Sequence, residues 1–303
     1  MSLAATLERL RAHVRGEHAL DEPLASRTSV RIGGNADLFV QPADADALVA
    51  ALKILADDGL PWHVLGGGAN SLIGDGGIRG AVLRLPNLPE QVEAGPEGVT
   101  VTLAAGSPIA KIIQVMRKQR ATGAEFMAGI PGTVGGAVTM NAGTKNGSLE
   151  RVLVRVELAT PEGFITRERD ALQFAYRFTH LPERSVVARA TLRLPFGNLE
   201  ASEKKITDDL AYRRSTQPLQ LPNFGSSFVN PPNGSAGRLI EESGLKGHRI
   251  GGAQISEVHA NFIVNHGGAR AAEARALLEL MQSTVRERTG IELRREVKFV
   301  GEF

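Results

Sequence analysis

Apolar and polar positions along the chain alternate with two different periods. Leu3, Leu7, Leu10 and Val14 recur at helical spacing, with Glu8, Arg9 and Arg11 between them. This predicts an amphipathic helix over residues 1–15 and not a signal peptide. Gly16 to Ser29 reads as a loop, and Ala36 to Val40 as a short strand ending at Pro42. Asp44 can cap a helix whose Leu48, Leu52 and Leu55 fall at i, i+4 and i+7, stopped by Gly59 and Pro61. Trp62 to Leu65 predicts a buried strand that runs straight into Gly66-Gly67-Gly68-Ala69-Asn70-Ser71-Leu72, and Ala81 to Leu85 a further strand. The pattern is that of a small α/β unit with a glycine loop at a strand end.

Residues 86–96 form a polar, Pro-containing connection that reads as a domain boundary. Val99 to Ala104 predicts a strand, and Ser107-Pro108 the opening of a helix to about Arg120, with Pro at its first position. Val152 to Ala159 and Phe164 to Thr166 predict a hairpin about Pro161-Glu162-Gly163; Val186 to Leu194 is another strand. A second boundary falls over residues 195–201. Beyond it come a helix over residues 203–214, a loop over 215–235, a short helix over 236–243 and a strand over 261–264. A long amphipathic helix over residues 271–289 ends at Gly290, and Ile291 to Val300 alternates as a final strand. The fold class is α+β, with no internal repeat. Its parts are residues 1–20, 21–88, 89–197 and 198–303.

Composition narrows the chemistry. The 303 residues contain no cysteine, which excludes disulfides, thiolate nucleophiles, Fe–S clusters and Cys-type zinc sites. Acids and bases nearly balance at a net charge of +2, and one Trp and two Tyr make a poor base-stacking platform, so nucleic acid is not the expected partner. No stretch is long enough for a membrane span, and a cytoplasmic protein is expected. His259 and His266 lack the spacing of a metal pair, so no metal site is expected.

The most informative stretch lies between Phe126 and Thr144, which carries no charge and five glycines. Glycine loses the most conformational freedom on folding, so a cluster suggests backbone lying against something bulky. Exposed N–H groups there favour anions. Ile130, Val134, Val138 and Met140 would suit a flat organic ring. The segment reads as the bed of a large, partly anionic cofactor. A P-loop would end in Gly-Lys-Ser/Thr, which neither glycine loop has. A dinucleotide fingerprint would have Gly where Ser71 stands and a helix after it, so that reading fits poorly.

Leu65-Gly-Gly-Gly-Ala-Asn-Ser-Leu72 and Gly129-Ile-Pro-Gly-Thr-Val-Gly-Gly-Ala-Val-Thr-Met-Asn-Ala-Gly143 resemble the two FAD-binding segments of the UDP-N-acetylenolpyruvoylglucosamine reductase (MurB) family. Thr28-Ser29-Val30-Arg31-Ile32-Gly33-Gly34 resembles the motif that opens the same region. The resemblance covers nearly the whole chain and suggests the shorter subtype. It implies a two-part FAD-binding region of the vanillyl-alcohol-oxidase type and a C-terminal α+β substrate domain. It also implies non-covalent FAD held by Gly66, Gly67, Gly68, Ala69, Asn70, Ser71, Ile130, Pro131, Gly132, Thr133, Val134, Gly135, Gly136, Asn141, Ala142 and Gly143.

Three later blocks resemble the family's catalytic segments. In Phe174-Ala175-Tyr176-Arg177-Phe178-Thr179, an Arg among aromatics offers a planar fork to a carboxylate. Taken alone it is more often a surface Arg at a strand end, since most Arg are exposed. The family has Ser where Thr179 stands. In Phe224-Gly225-Ser226-Ser227-Phe228-Val229-Asn230-Pro231 the family's proton-donating Ser follows the Gly and maps onto Ser226, with Ser227 next door. Many members have Lys at Val229, so Arg213, Arg214, Lys246 or Arg249 would supply that charge. In Leu293-Arg294-Arg295-Glu296-Val297 the family's Glu maps onto Glu296. By period alone the polar face of this strand is solvated. Tyr176, Arg213, Arg214, Asn230, Arg238, Gln254 and Asn261 are the expected substrate contacts.

The resemblance implies that NADPH reduces the flavin, which then passes hydride to C3 of UDP-N-acetylglucosamine enolpyruvate. Arg177 would stabilise the developing dianion, Ser226 would protonate C2, and Glu296 would steady the enolic oxygen or share a proton. The product is UDP-N-acetylmuramate, a peptidoglycan precursor. The implied partners are thus two small molecules, NADPH and the UDP-linked sugar, with no obligate protein partner. The alternatives are an alcohol or hydroxyacid oxidase on the same fold, and a non-enzymatic nucleotide-binding protein.

Overall fold

The computed structural model describes residues 2–232 and 234–303. The chain folds as two compact units: Met1–Leu20 with Leu38–Gly67 and Gly80–Tyr212, and Asp21–Asp37 with Gly68–Arg79 and Arg213–Phe303. No unit boundary falls within residues 86–96 or 195–201. The architecture is α+β, as expected.

The first unit contains two cores. In one, a four-stranded sheet has the order β1-β2-β5-β3, from Gly16–Pro23, Asn35–Pro42, Ile78–Leu83 and Trp62–Val64. Helices α1 (Leu3–His13) and α2 (Ala45–Asp57) join it through buried Leu7, Leu10, Leu48, Leu52 and Leu55, the residues whose spacing predicted those helices. Asp44 caps α2, accepting from the Ala47 N–H at 2.8 Å. Two expectations fail here. Gly16 to Pro23 is a strand and not a loop; its residues are mostly exposed, so it carries no buried alternation to read. Trp62–Val64 is the sheet's edge strand, and Val64 is exposed, so it is not buried.

The second core lies on a five-stranded antiparallel sheet of order β11-β10-β14-β7-β6. Its strands are Gly163–Glu168, Leu153–Thr160, Val186–Pro195, Gly98–Ala104 and Gln91–Ala94. Strand β6 thus lies inside the expected linker. Two two-stranded ribbons accompany it: β8 (Gly143–Thr144) with β9 (Gly147–Ser148), and β12 (Gln173–Ala175) with β13 (Phe178–His180). Helix α3 is Ala110–Lys118, α4 Val134–Thr139 and α5 Leu199–Thr216. Ser107 does not cap α3; it is fully buried and donates to Asn87 Oδ1 at 2.9 Å.

The second unit has a four-stranded sheet of order β15-β18-β17-β16, from Asn223–Ser226, Phe262–Asn265, Ala253–Ile255 and Arg249–Ile250. It is packed with α6 (Ala236–Glu242) and α7 (Ala271–Thr289) through Ile240, Ala274, Leu277, Leu278 and Met281. Gly290 ends α7 in the left-handed region at φ 71°. The final strand is shorter than its alternation suggested. Only β19 (Lys298–Val300) is a strand, pairing in parallel with β4 (Ser71–Ile73). Leu293 and Val297 are nevertheless buried, as the alternation requires.

Candidate active site

In the first unit the two glycine segments meet. A Cβ on Gly67 would lie 2.9 Å from the Gly132 Cα, and one on Gly66 2.6 Å from Thr133 Oγ1. Glycine at 67 is therefore required by backbone-to-backbone approach. Among the described residues, the N–H groups of Gly66, Gly67, Gly132 and Thr133 have no hydrogen-bond partner. Gly68 and Ala69, which belong to the second unit, also donate to none. Uncommitted amides along a tight turn attract an anion.

Helix α4 behaves differently from a row of open amides. Its Val134 and Gly135 N–H groups donate to Ser107 and Ala105 carbonyls at 2.8 Å each. Gly136 N–H donates weakly to Thr133 Oγ1, which caps the helix. Val134 and Val138 are fully buried in the core, so neither faces a ring. A Cβ on Gly135 would meet Ala105 Cβ at 2.8 Å, which makes that glycine a packing requirement. Gly136 and Pro131 are exposed, and Ile130 and Met140 half-buried. Ala142 and Gly143 continue into β8, their backbone tied to Ala137, Leu149 and Ser148.

The β12–β13 ribbon hangs from this segment. Thr179, buried, donates its hydroxyl to the Val138 carbonyl at 2.5 Å, and Asn141 Nδ2 donates to the Ala175 carbonyl at 3.4 Å. Asn141 Oδ1 also accepts from the Glu150 N–H, so its amide positions backbone at both ends. The ribbon's turn is Tyr176-Arg177, and Arg177 is held at φ 56°. A left-handed non-glycine residue costs about 1–2 kcal/mol and such residues cluster at functional sites. The Arg177 guanidinium lies 4.9 Å from the Tyr176 ring centre, while Tyr176 and Phe178 are both exposed.

In the second unit, three segments converge. Gly225, at φ 79°, turns β15 into half-exposed Ser226. Ser227 is fully buried; its N–H donates to the Asn261 carbonyl at 2.8 Å, and its carbonyl accepts the Glu296 N–H at 2.9 Å. Its hydroxyl has no partner among the described residues. Asn261 holds the same turn: its Oδ1 accepts the Phe228 N–H at 3.0 Å, and its Nδ2 donates to the Phe228 carbonyl at 2.8 Å. Asn261 is thus a positioning residue and not an open substrate contact. Asn70 Nδ2 donates to the Glu296 carbonyl at 3.1 Å, and the Asn70 carbonyl accepts the Lys298 N–H at 3.0 Å. Ser71 begins β4.

The remaining expected contacts divide. Asn230 Oδ1 accepts the Ala236 N–H at the start of α6, and Arg238 pairs with Glu242 at 2.7 Å. Gln254 is bonded at both ends, to the Gly247 carbonyl and to His266. Arg213 reaches Gln217 at 3.5 Å, and Arg214 is exposed at the end of α5. Lys246 pairs with Glu241 and Arg249 bonds the Gly251 carbonyl, so neither is uncommitted near Val229. Ser29, given no role from sequence, donates to the Gly68 and Asn223 carbonyls, joining the glycine loop to β15. Its only signal was its place in the Thr28–Gly34 motif.

Burial holds the His259 imidazole below its ordinary value, and the Lys246 ammonium adds to the effect. Its Nδ1 accepts the Asn261 N–H, a structural duty. No cluster of metal-binding side chains exists among the described residues.

Two family models match the chain. Residues 36–168 match the family described as FAD binding domain, and residues 217–300 that described as UDP-N-acetylenolpyruvoylglucosamine reductase, C-terminal domain. The chain is 51% identical to the UDP-N-acetylenolpyruvoylglucosamine reductase of Myxococcus xanthus over 93% of this chain and 92% of the relative. The reductase of Geobacter metallireducens is 46% identical, over 97% of each chain. The crystal structure of the Thermus caldophilus enzyme aligns with a TM-score of 0.79 at 33% identity, covering 95% of this chain and 99% of that one.

Proposed function

Because the chain belongs to the UDP-N-acetylenolpyruvoylglucosamine reductase family, we propose that it reduces UDP-N-acetylglucosamine enolpyruvate to UDP-N-acetylmuramate, with FAD as cofactor and NADPH as reductant, in peptidoglycan precursor synthesis. The observation that carries the reading is the family likeness along nearly the whole chain, joined to a backbone cradle at the matching glycine segments. The cradle suits the group: amides without partners face no competing acceptor, and a side chain at Gly67 would close the gap. The oxidase and non-enzymatic readings have no observation in their favour.

Bound FAD would supply the hydride chemistry, linking NADPH oxidation to reduction at C3 of the enolpyruvyl group. The amides of Gly66, Gly67, Gly132 and Thr133 would hold its diphosphate, with Ile130 and Met140 offering apolar surface. Hydride addition at C3 drives charge toward C2 and the carboxylate, an enolate-like dianion. Arg177 would stabilise that charge with a permanent cation whose fork matches a carboxylate. Its left-handed backbone and its Tyr176 partner support a preset orientation. Ser226 would give its hydroxyl proton to C2, and its partial exposure supports re-protonation from solvent. Between the two neighbouring serines, burial of Ser227 supports Ser226 as the donor. Glu296 would steady the enolic oxygen. Residues 21–88 and 89–197 would be the two parts of the FAD region and 198–303 the substrate domain. No helix among the described residues is long and apolar enough to cross a membrane, and we place the reaction in the cytoplasm.

Stopped-flow absorbance of the flavin tests this reading. NADPH should bleach it, and the UDP-linked enolpyruvyl sugar should restore it. Ser226→Ala should leave bleaching nearly intact and slow recovery at least ~10²-fold, the low end for a general acid. Equal slowing of both half-reactions would remove Ser226 from its role.

A further inference from the structure

The peptide of Glu296 is gripped from both sides. Its N–H donates to the Ser227 carbonyl at 2.9 Å, and its carbonyl accepts Asn70 Nδ2 at 3.1 Å. Two residues along, the Asn70 carbonyl accepts the Lys298 N–H at 3.0 Å, beside the Ser71↔Lys298 rung of the β4–β19 pair. Asn70 thus prolongs a two-stranded ladder by one rung, with its side-chain amide standing in for a backbone N–H. The residues just before it, Gly66 to Ala69, carry the amides without partners. One short segment therefore holds anion-attracting backbone at one end and a grip on the Glu296 peptide at the other.

We propose that the Asn70 side chain is a positioning residue for Glu296, coupling the cofactor loop to the proton-transfer side of the reaction; this rests on the function proposed above. The backbone of the loop serves the cofactor, while the side chain of Asn70 serves the carboxylate's segment. Only a donor satisfies the Glu296 carbonyl, so the isosteric Asp would set an anion against it. Displacements on the order of 1 Å at a reacting group cost ~10²-fold in rate, which a slackened Glu296 segment would produce.

The test uses FAD-loaded enzyme carrying Asn70→Asp, with Asn70→Ala as a second variant that removes the donor without adding charge. Three quantities are measured: flavin content, bleaching by NADPH, and recovery on adding the UDP-linked enolpyruvyl sugar. Flavin content should be preserved and bleaching should stay within about 3-fold of wild type, while recovery slows ~10- to 10²-fold. Added to Glu296→Gln, either variant should slow recovery no further than Glu296→Gln alone, the signature of two residues acting as one unit. Loss of flavin, equal slowing of both half-reactions, or multiplying losses in the double variant would overturn the proposal while leaving Glu296 in its role. Wild-type recovery in Glu296→Gln itself would overturn the role of Glu296 and this proposal with it.

Discussion

Gly136 is an exposed glycine that no contact among the described residues requires. It stands inside α4, away from the left-handed region, and a Cβ there would meet only Thr133 Oγ1 at 3.5 Å, an ordinary contact. Glycine within a helix costs about 0.5–1 kcal/mol relative to alanine. Gly136→Ala should therefore stabilise the FAD-free protein by that amount, about 1–2 °C in melting temperature for a chain of this size. If the exposed face of α4 is part of the flavin's bed, the added methyl occupies cofactor space, and FAD affinity should fall at least ~10-fold, about 1.4 kcal/mol. Gly67→Ala supplies the contrast. Its methyl would lie 2.9 Å from the Gly132 Cα, and neither partner is a flexible side chain. Such overpacking costs about 1–3 kcal/mol, so the FAD-free protein should melt lower. Thermal melts of FAD-stripped protein and a flavin fluorescence titration read both quantities. Wild-type FAD affinity in Gly136→Ala, or a lower melting temperature, would refute the argument that a cofactor explains this glycine.

Ser227→Ala should raise the urea midpoint, by about 1 kcal/mol of stability, because it removes a buried hydroxyl without a partner among the described residues; it should also keep wild-type flavin recovery, unlike Ser226→Ala. A lower midpoint would mean that the hydroxyl is satisfied. Asp75 accepts the first N–H groups of α7, from Ala271 and Ala272, at 2.8 and 3.0 Å. Asp75→Ala should cost about 1–2 kcal/mol in thermal unfolding, the range for a lost helix cap, and an unchanged midpoint would show the contact to be idle. Burial holds His63 and His259 below the ordinary imidazole value. Above about pH 6.5 both states are neutral at these positions. As pH falls through that value the unfolded chain takes up protons first, so stability should decline toward pH 5. Urea midpoints across pH 8 to 5 check the sign, and His63→Phe should flatten the fall.

The elements legible in sequence are those whose signal is local. Leu48, Leu52 and Leu55 set the buried face of α2, Asp44 its start, and Gly290 the end of α7, and each does in the structure what its spacing or chemistry required. The misread elements depend on distant partners. Strand β1 is mostly exposed and exists because β2 lies beside it. Ser107 is a good cap by type, yet Asn87 takes its hydroxyl and Pro108 bridges Thr133, so α3 begins later. Leu293 and Val297 are buried although no regular ladder surrounds them, because the segment is held by single bonds to Ser227, Val229 and Asn70.

The same distinction explains the candidate site. The glycine run announced close backbone approach, but composition cannot say which glycine meets what. Gly135 is small for Ala105, Gly67 for Gly132, and Gly136 for nothing among the described residues. Only the third has no internal reason to be glycine, so it is the one whose smallness points to a ligand. The apolar members divide likewise: Val134 and Val138 fill the core, whereas Ile130 and Met140 are half-buried. Asparagine is the hardest of all to read. Asn70, Asn141 and Asn261 each stand in a motif that suggested ligand contact, and each directs a side-chain amide onto another segment's backbone. An amide side chain can replace a missing backbone rung wherever a strand frays, and that use leaves no periodic trace. In this chain, the motif asparagines hold the backbone of the segments carrying Arg177, Ser226 and Glu296, the residues proposed above as charge and proton donors.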